Sequence, residues 1–359
     1  MAFPTGWGRR QPITIDPLEV DETLAGYPFL ITLDHLDDEV VDAGTNSALN
    51  GGGDVRFTSD ESGLNQLAVD LVDFATNATP ASRACEIHVK VGSVSATVDT
   101  TIYIWYKKSG EVQPAATDTY GSEAVWSDYE VISHNGGSAD STGNTTPTKI
   151  GSPTSTNGKF TDATDYGSHL DDWYYRSIVA NSSVFTIQSW NYIDVKSTDA
   201  SGQGLASLTG GSGRVALAAD NSPDNWGAWD TTNSWMRASP AQVQEIAVWR
   251  SAALVYNSTT DRRLFYEGQR VALDSTVSNT PGSKTTFEMG GSGSLPESWD
   301  GKLCETRLSY SPISDNWLSS EWNNQSSPAT FASAGTPVSP VGGLSIPVAA
   351  YHYNHSLRG

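Results

Sequence analysis

Apolar and polar residues alternate along this chain in short runs, separated by turns rich in glycine, asparagine and serine. That is the pattern of β-strands and not of helices. In ACEIHVKV (84–91), Cys85, Ile87, Val89 and Val91 fall on one side, with Glu86, His88 and Lys90 on the other. QPITID (11–16), YPFLITLD (27–34) and DTTIYIWY (99–106) are further β-rich runs, and GGGDVRFT (51–58) is a turn leading into a strand. No stretch before residue 120 sustains a helical period. An antiparallel β-sandwich follows as the default architecture.

The second half repeats the signal. VFTIQSWNYI (184–193), GGSGRVALAAD (210–220), the long run 243–273, TTFEMGG (285–291) and WDGKLCETRLS (299–309) form a strand series. NSTTDRR and YEGQ read as turns within it, and LTGGSGR (208–214) and MGGSGS (289–294) as hairpin turns. One short helix is expected in SDNWLSSEWNNQ, with Asp315 as its N-cap and Trp317, Leu318 and Trp322 packing against the sandwich. The predicted fold is all-β, two tandem antiparallel sandwiches. Its divisions are 1–118, an N-terminal sandwich; 119–332, a jelly roll; and 333–359, a linker and C-terminal arm. KKSGEVQPAATDTYGS (107–122) is the expected connection between the sandwiches.

Length supports two units, because 359 residues exceed the usual ~100–200 of one domain. The charge narrows the partners: 41 acidic residues against 21 basic ones give a net −20. Such a surface repels phosphate backbones and anionic lipid, so neither nucleic-acid binding nor membrane insertion is expected. No apolar run approaches the ~18 residues of a membrane span, and the opening MAFPTGWGRRQPITI has no apolar core of an export signal. Cys85 and Cys304 each sit in an apolar strand and are expected as buried free thiols.

Several segments resemble known families. WGRRQPITI at the start, GGGDVRFTSDESG (51–63), TTIYIWY (100–106) and AVWSDYEVISHNGGSADSTGN (124–144) resemble, in order and spacing, a domain of unknown function of bacterial and phage proteins. That domain is commonly followed by a laminin-G or concanavalin A-like module. The later strands, closing in DGKLCETRLS and the helix after it, are similar to the concanavalin A-like, laminin-G-type jelly roll. Cys304 departs from that family, which more often has a polar or acidic residue there. The resemblance implies an extracellular or virion module without established catalytic residues.

The candidate chemistry lies in DNWGAWDTTNSW (224–235). Trp226, Trp229 and Trp235 offer rings that stack on sugar faces, and Asp224, Asn225 and Asp230 offer hydrogen bonds to sugar hydroxyls. Read as a loop, these residues form a candidate glycan site, with a packed aromatic mini-core or subunit contact as the other reading. Asp220, Asp224 and Asp230 could supply oxygens to calcium, the one cofactor the composition admits, although the spacing is not that of an EF-hand.

Catalytic signals are sparse. No strand carries the paired carboxylates a glycosidase places on one strand, though a pair drawn from different strands stays open. GxSxG, HExxH and GxxxxGK are all missing. His88, on the polar side of its strand, reads as a surface residue. His352 and His355 could meet a metal only at a symmetry axis.

After Phe331 come a spacer, ASAGTPVSPVGG, and an apolar, aromatic end. In that end Ile346, Val348, Tyr351 and Tyr353 are expected to dock on another subunit. The function expected is therefore a non-enzymatic structural protein of a tailed-phage virion surface, a decoration, head-fibre or tail-associated adhesin. Its expected partners are other capsid or tail proteins, further copies of itself and host surface glycan. An exported bacterial carbohydrate-binding module and a glycan-degrading enzyme on a jelly-roll scaffold are the alternatives.

Overall fold

The computed structural model describes residues 3–167, 172–180, 184–196, 202–210, 213–221, 224–230, 234–275, 284–291 and 298–340. The fold is all-β, with tandem antiparallel sandwiches. In the first, a five-stranded sheet runs Ala332–Ala334, Arg9–Ile15, Thr100–Tyr106, Arg56–Thr58 and Gln66–Leu67. It faces a three-stranded sheet of Leu24–Ile31, Ala84–Val94 and Val69–Ala75. The alternating apolar positions meet between them: Ile13, Ile102, Ile104 and Phe57 from one sheet, Phe29, Ile31, Ile87 and Val89 from the other.

The second sandwich stacks a seven-stranded on an eight-stranded sheet. The first of these runs Ser234–Arg237, Asp224–Asp230, Gly213–Asn221, Gln203–Gly210, Lys284–Met289, Trp173–Ala180, Thr148–Ile150. Its partner has Gly301–Ser309, Phe185–Ile193, Trp249–Ser258 and Asp261–Tyr266 at its centre. Leu205, Leu217, Trp226, Phe287, Leu254 and Trp299 fill the space between the sheets. The YEGQ turn joins Asp261–Tyr266 to Gln269–Asp274 with Glu267 at φ 52° and Gly268 at φ 71°. Two positive φ values in a two-residue connection make the turn expected there a type I′ hairpin.

The Asp315–Ser326 helix begins one residue earlier than the sequence suggested. Ser314, not Asp315, is the N-cap, its hydroxyl accepting from Trp317 N at 3.0 Å. Asp315 instead pairs with Arg263 and Arg270 of the jelly roll, the latter at 2.8 Å. The helix lies between the two sandwiches. Trp317 meets Tyr27 of the first, ring centroids 5.4 Å apart, while Leu318 packs on Ala253, Val255 and Phe265 of the second.

The chain then returns to where it started. Phe331 enters the first core, Ala332–Ala334 pairs with Ile13–Ile15, and Val338 bridges Arg10. Residues read as the end of the jelly roll and the start of a spacer thus complete an edge of the N-terminal sheet. The connection after Lys107 is likewise held against the first sandwich, Val112 O accepting from Arg56 at 2.6 Å and Tyr120 O from Val69 N at 3.1 Å. Both cysteines are buried free thiols. No helix among the described residues is long and apolar enough to cross a membrane.

Candidate functional site

The tryptophan-rich stretch is a strand hairpin and not a loop. Asp224–Asp230 pairs with Gly213–Asn221 on one side and with Ser234–Arg237 on the other. Side chains on a strand alternate, so positions three apart face opposite ways. Trp226 therefore turns inward, 1% exposed, with its ring near Tyr266 and Trp299. It belongs to the core and is not available to a sugar, which corrects its place among the candidate contacts.

Trp229 turns outward and stays half-buried, with the Arg214 guanidinium 5.9 Å from its ring centroid. Trp235 is directly opposite Trp229 in register. Gly227 shares the outer side with Trp229 and stands opposite Arg237. Arg237 in turn pairs with Asp220. The outer edge of the seven-stranded sheet thus offers an indole beside a glycine floor and an Arg–Asp pair. Of the pair only Arg237 is exposed, with Asp220 buried beneath it, so the edge sets an apolar face beside an oriented guanidinium donor.

The remaining candidates separate. Asn225 is buried and structural: its amide donates to Ala238 O at 2.9 Å and accepts from Gln242 N at 2.8 Å. Asp224 pairs with Lys196 at the start of the strand. The suggested calcium ligands do not converge. Asp220 stands opposite Asn225 and Asp230 opposite Val215, five residues along the ladder or about 16 Å. Ile346, Val348, Tyr351 and Tyr353 of the expected docking arm, and His352 and His355, lie outside the described residues.

The family model described as the concanavalin A-like lectin/glucanases superfamily matches residues 162–319. Those residues form a concanavalin A-like domain. No curated protein matches the chain by sequence. Among solved structures the chain is similar to domain 4 of an extracellular arabinanase from Geobacillus stearothermophilus, in complex with arabinotriose. The identity is 12%, covering 53% of this chain and 98% of that one, with a TM-score of 0.44. It is also similar to Trypanosoma rangeli sialidase, at 15% identity, 67% of this chain, 42% of that chain and a TM-score of 0.45. The binding domain of Paraclostridial Mosquitocidal Protein 1 matches at 12% identity, 55% of this chain, 52% of that chain and a TM-score of 0.40.

A second constellation lies where the concanavalin A-like domain meets the N-terminal sandwich, and no reading of the sequence found it. Ala84–Val94 keeps the two faces its pattern predicts, but its polar face is covered by the second domain. Glu86 is 2% exposed and His88 fully buried, which corrects the expectation of a surface histidine. Opposite them, two residues of Gly301–Ser309, Glu305 and Thr306, oppose Ser189 in a β-bulge. Glu305 sits there at φ 49°, a left-handed conformation rare for a non-glycine residue. The bulge aims its carboxylate into the seam. His134, just beyond Val131–Ser133, completes the group.

Around this centre the partners are fixed. His134 Nε2 donates to Asp70 Oδ2 at 2.9 Å, the same oxygen that accepts from Trp126 Nε1 at 2.7 Å. Arg307 holds Glu305 Oε2, donating from Nε at 3.1 Å, and also pairs with Glu321 of the helix. The Thr161 hydroxyl donates to Glu86 Oε2.

Electrostatics divide the roles. Burial, with the neighbouring Glu305 carboxylate, pushes Glu86 up to about 8. Burial likewise carries His88 down to about 3. For His134 burial opposes the charge, but Glu305 and Asp70 outweigh it and lift the imidazole to about 10. Glu305 is held well below the usual carboxylate range, since His134 and Arg307 overcome its burial. Glu86 and Glu305 are a carboxylate pair drawn from different strands, but both are enclosed by protein, with no room for a sugar ring between them. The sequence carried half of this signal, in the alternation that put Glu86 and His88 side by side on one face. It could not show what covers that face.

Proposed function

We propose that this chain is a non-enzymatic structural protein of a tailed-phage virion surface, a decoration, head-fibre or tail-associated adhesin. In this reading its concanavalin A-like domain contacts host glycans at the Trp229 edge of the seven-stranded sheet. The observation that carries the glycan reading is the outward turn of Trp229, beside Gly227 and the Arg237–Asp220 pair, with Trp235 opposite in register. An aromatic face with an exposed guanidinium at its rim, that of Arg237 held by the buried Asp220, is a composition suited to saccharide recognition. A superfamily that includes lectins supports it.

The virion assignment rests on the resemblance of the first 144 residues to a phage and bacterial domain and on the apolar end after the spacer. Other virion proteins and further copies of this chain are the partners it implies. The reading involves no bond cleavage.

Two measurements test it. Purified protein titrated with extracted host glycans, with calcium and with chelator, should show saturable binding and release no reducing ends. Mass spectrometry of purified particles should find the protein. Its absence from particles would remove the virion assignment, and glycan binding by cells free of prophage would favour an exported bacterial adhesin.

A further inference from the structure

We propose that Glu86, His88, His134 and Glu305 bind one divalent transition-metal ion of the zinc class, which clamps the N-terminal sandwich to the concanavalin A-like domain. One ligand atom from each lies within 4.8 Å of all the others, and all four residues are buried. His88 Nε2 is 3.9 Å from Glu86 Oε1 and 3.8 Å from Glu305 Oε2, and His134 Nδ1 is 3.8 Å from Glu86 Oε1. His134 Nδ1 and Glu305 Oε1 are hydrogen-bonded to each other, a contact that an ion bound by both atoms would replace, while the three separations given are too long for hydrogen bonds. They are a few tenths of an ångström above the roughly 3.4 Å edge of a tetrahedron built from zinc–nitrogen and zinc–oxygen bonds of about 2.1 Å.

The outer partners point the same way. Asp70 holds Nε2 of His134, Arg307 holds Oε2 of Glu305, and Thr161 holds Oε2 of Glu86. Glu86 Oε1 is left facing the common centre, and His134 Nδ1 and Glu305 Oε1 meet there in a hydrogen bond to each other. Carboxylate–histidine and similar outer contacts are how proteins orient metal ligands.

His88 is the independent observation. It is fully buried, and neither ring nitrogen has a hydrogen-bond partner. Burying an imidazole without partners is costly, and a metal bond at Nε2 removes the part of that cost that falls on Nε2. Its ring is stacked on His134 with centroids 4.7 Å apart, so binding requires the ring to turn, and no hydrogen bond holds it back.

Charge and ligand type choose the ion. An ion bound here displaces the protons of His134 and Glu86, and the four carboxylates then left with Arg307 in this buried region, Asp70, Glu86, Glu305 and Glu321, make an excess of negative charge that a dication offsets. Two imidazoles select against calcium and magnesium, which take oxygen ligands. A cleft of about 580 Å³ along the seam extends inward as far as Cys85 and Thr161, the latter bonded to Glu86.

The test uses the full chain, stripped with chelator and titrated with zinc and with cobalt as a spectroscopic stand-in. Expected are one ion per chain, a tetrahedral cobalt spectrum and X-ray absorption showing two imidazole ligands. Affinity should fall at least 100-fold in His88→Phe and Glu86→Gln, and about 10–100-fold in Asp70→Asn, with circular dichroism unchanged. No binding, binding undiminished in both ligand variants, or an all-oxygen shell from surface carboxylates would overturn the proposal. Should His88→Phe fail to fold, the absorption spectrum of the natural chain decides alone.

Discussion

Trp226 and Trp229 stand three positions apart and face opposite ways. Trp226→Ala should cost about 3–5 kcal/mol of stability by opening a cavity between the sheets, read by chemical denaturation. Trp229→Ala should leave stability within about 0.5 kcal/mol. The period of two that separates them was legible in NWGAWD, and reading the stretch as a loop concealed it. His88 failed for another reason: alternation gave its face correctly, but nothing local says that Trp126, His134 and Glu305 of the second domain cover that face. His35 carries a pH prediction. Its ring is fully buried, Nδ1 accepting from Thr32 N at 3.0 Å and Nε2 against Pro328 O at 2.8 Å. Burial outweighs the Pro328 contact and lowers the imidazole to about 4 from the ordinary 6.5. The unfolded chain therefore binds the extra proton first. The stabilisation is complete above about pH 6.5 and is lost as pH falls to about 4, up to about 3 kcal/mol in all. Denaturation curves across that window should show the slope, and His35→Gln should flatten it.

Strands and turns were the most legible elements, because pleat and turn chemistry are local. YEGQ became a type I′ hairpin, and its glycine is doubly required. At φ 71° an added Cβ on Gly268 would also lie 2.7 Å from Trp322 Cβ, so Gly268→Ala should destabilise by more than about 1 kcal/mol. The helix was found from its pattern, but its partners were not, since one apolar stripe cannot say which of two sandwiches it meets. Asn324 shows what the pattern leaves out. It accepts from Leu30 N at 2.9 Å and donates to Leu30 O at 3.0 Å, capping an edge strand of the N-terminal sandwich as another strand would. Asn324→Ala strands two buried backbone groups and should cost about 2–4 kcal/mol by chemical denaturation.

At the scale of the whole molecule, the chain folds back so that its late residues finish its first domain. Ala332–Ala334 supplies an edge strand, Phe331 a core ring and the helix a wedge between the sandwiches. A fragment ending at 118 lacks all three and should not fold stably, while the full chain should unfold in one calorimetric transition. This closure was not legible, because strand pairing across the whole length leaves no local trace in composition or period. The all-β class and the concanavalin A-like domain were legible, from repeated alternation and the closing DGKLCETRLS run. The central claim, that the Trp229 edge holds host glycan, is tested most directly by titrating host glycans into the natural chain and Trp229→Ala, with thermal melting of both. Binding weakened by about 1–2 kcal/mol at unchanged melting temperature is the predicted result. Equal binding by the two proteins, or loss of binding only together with loss of stability, would contradict it.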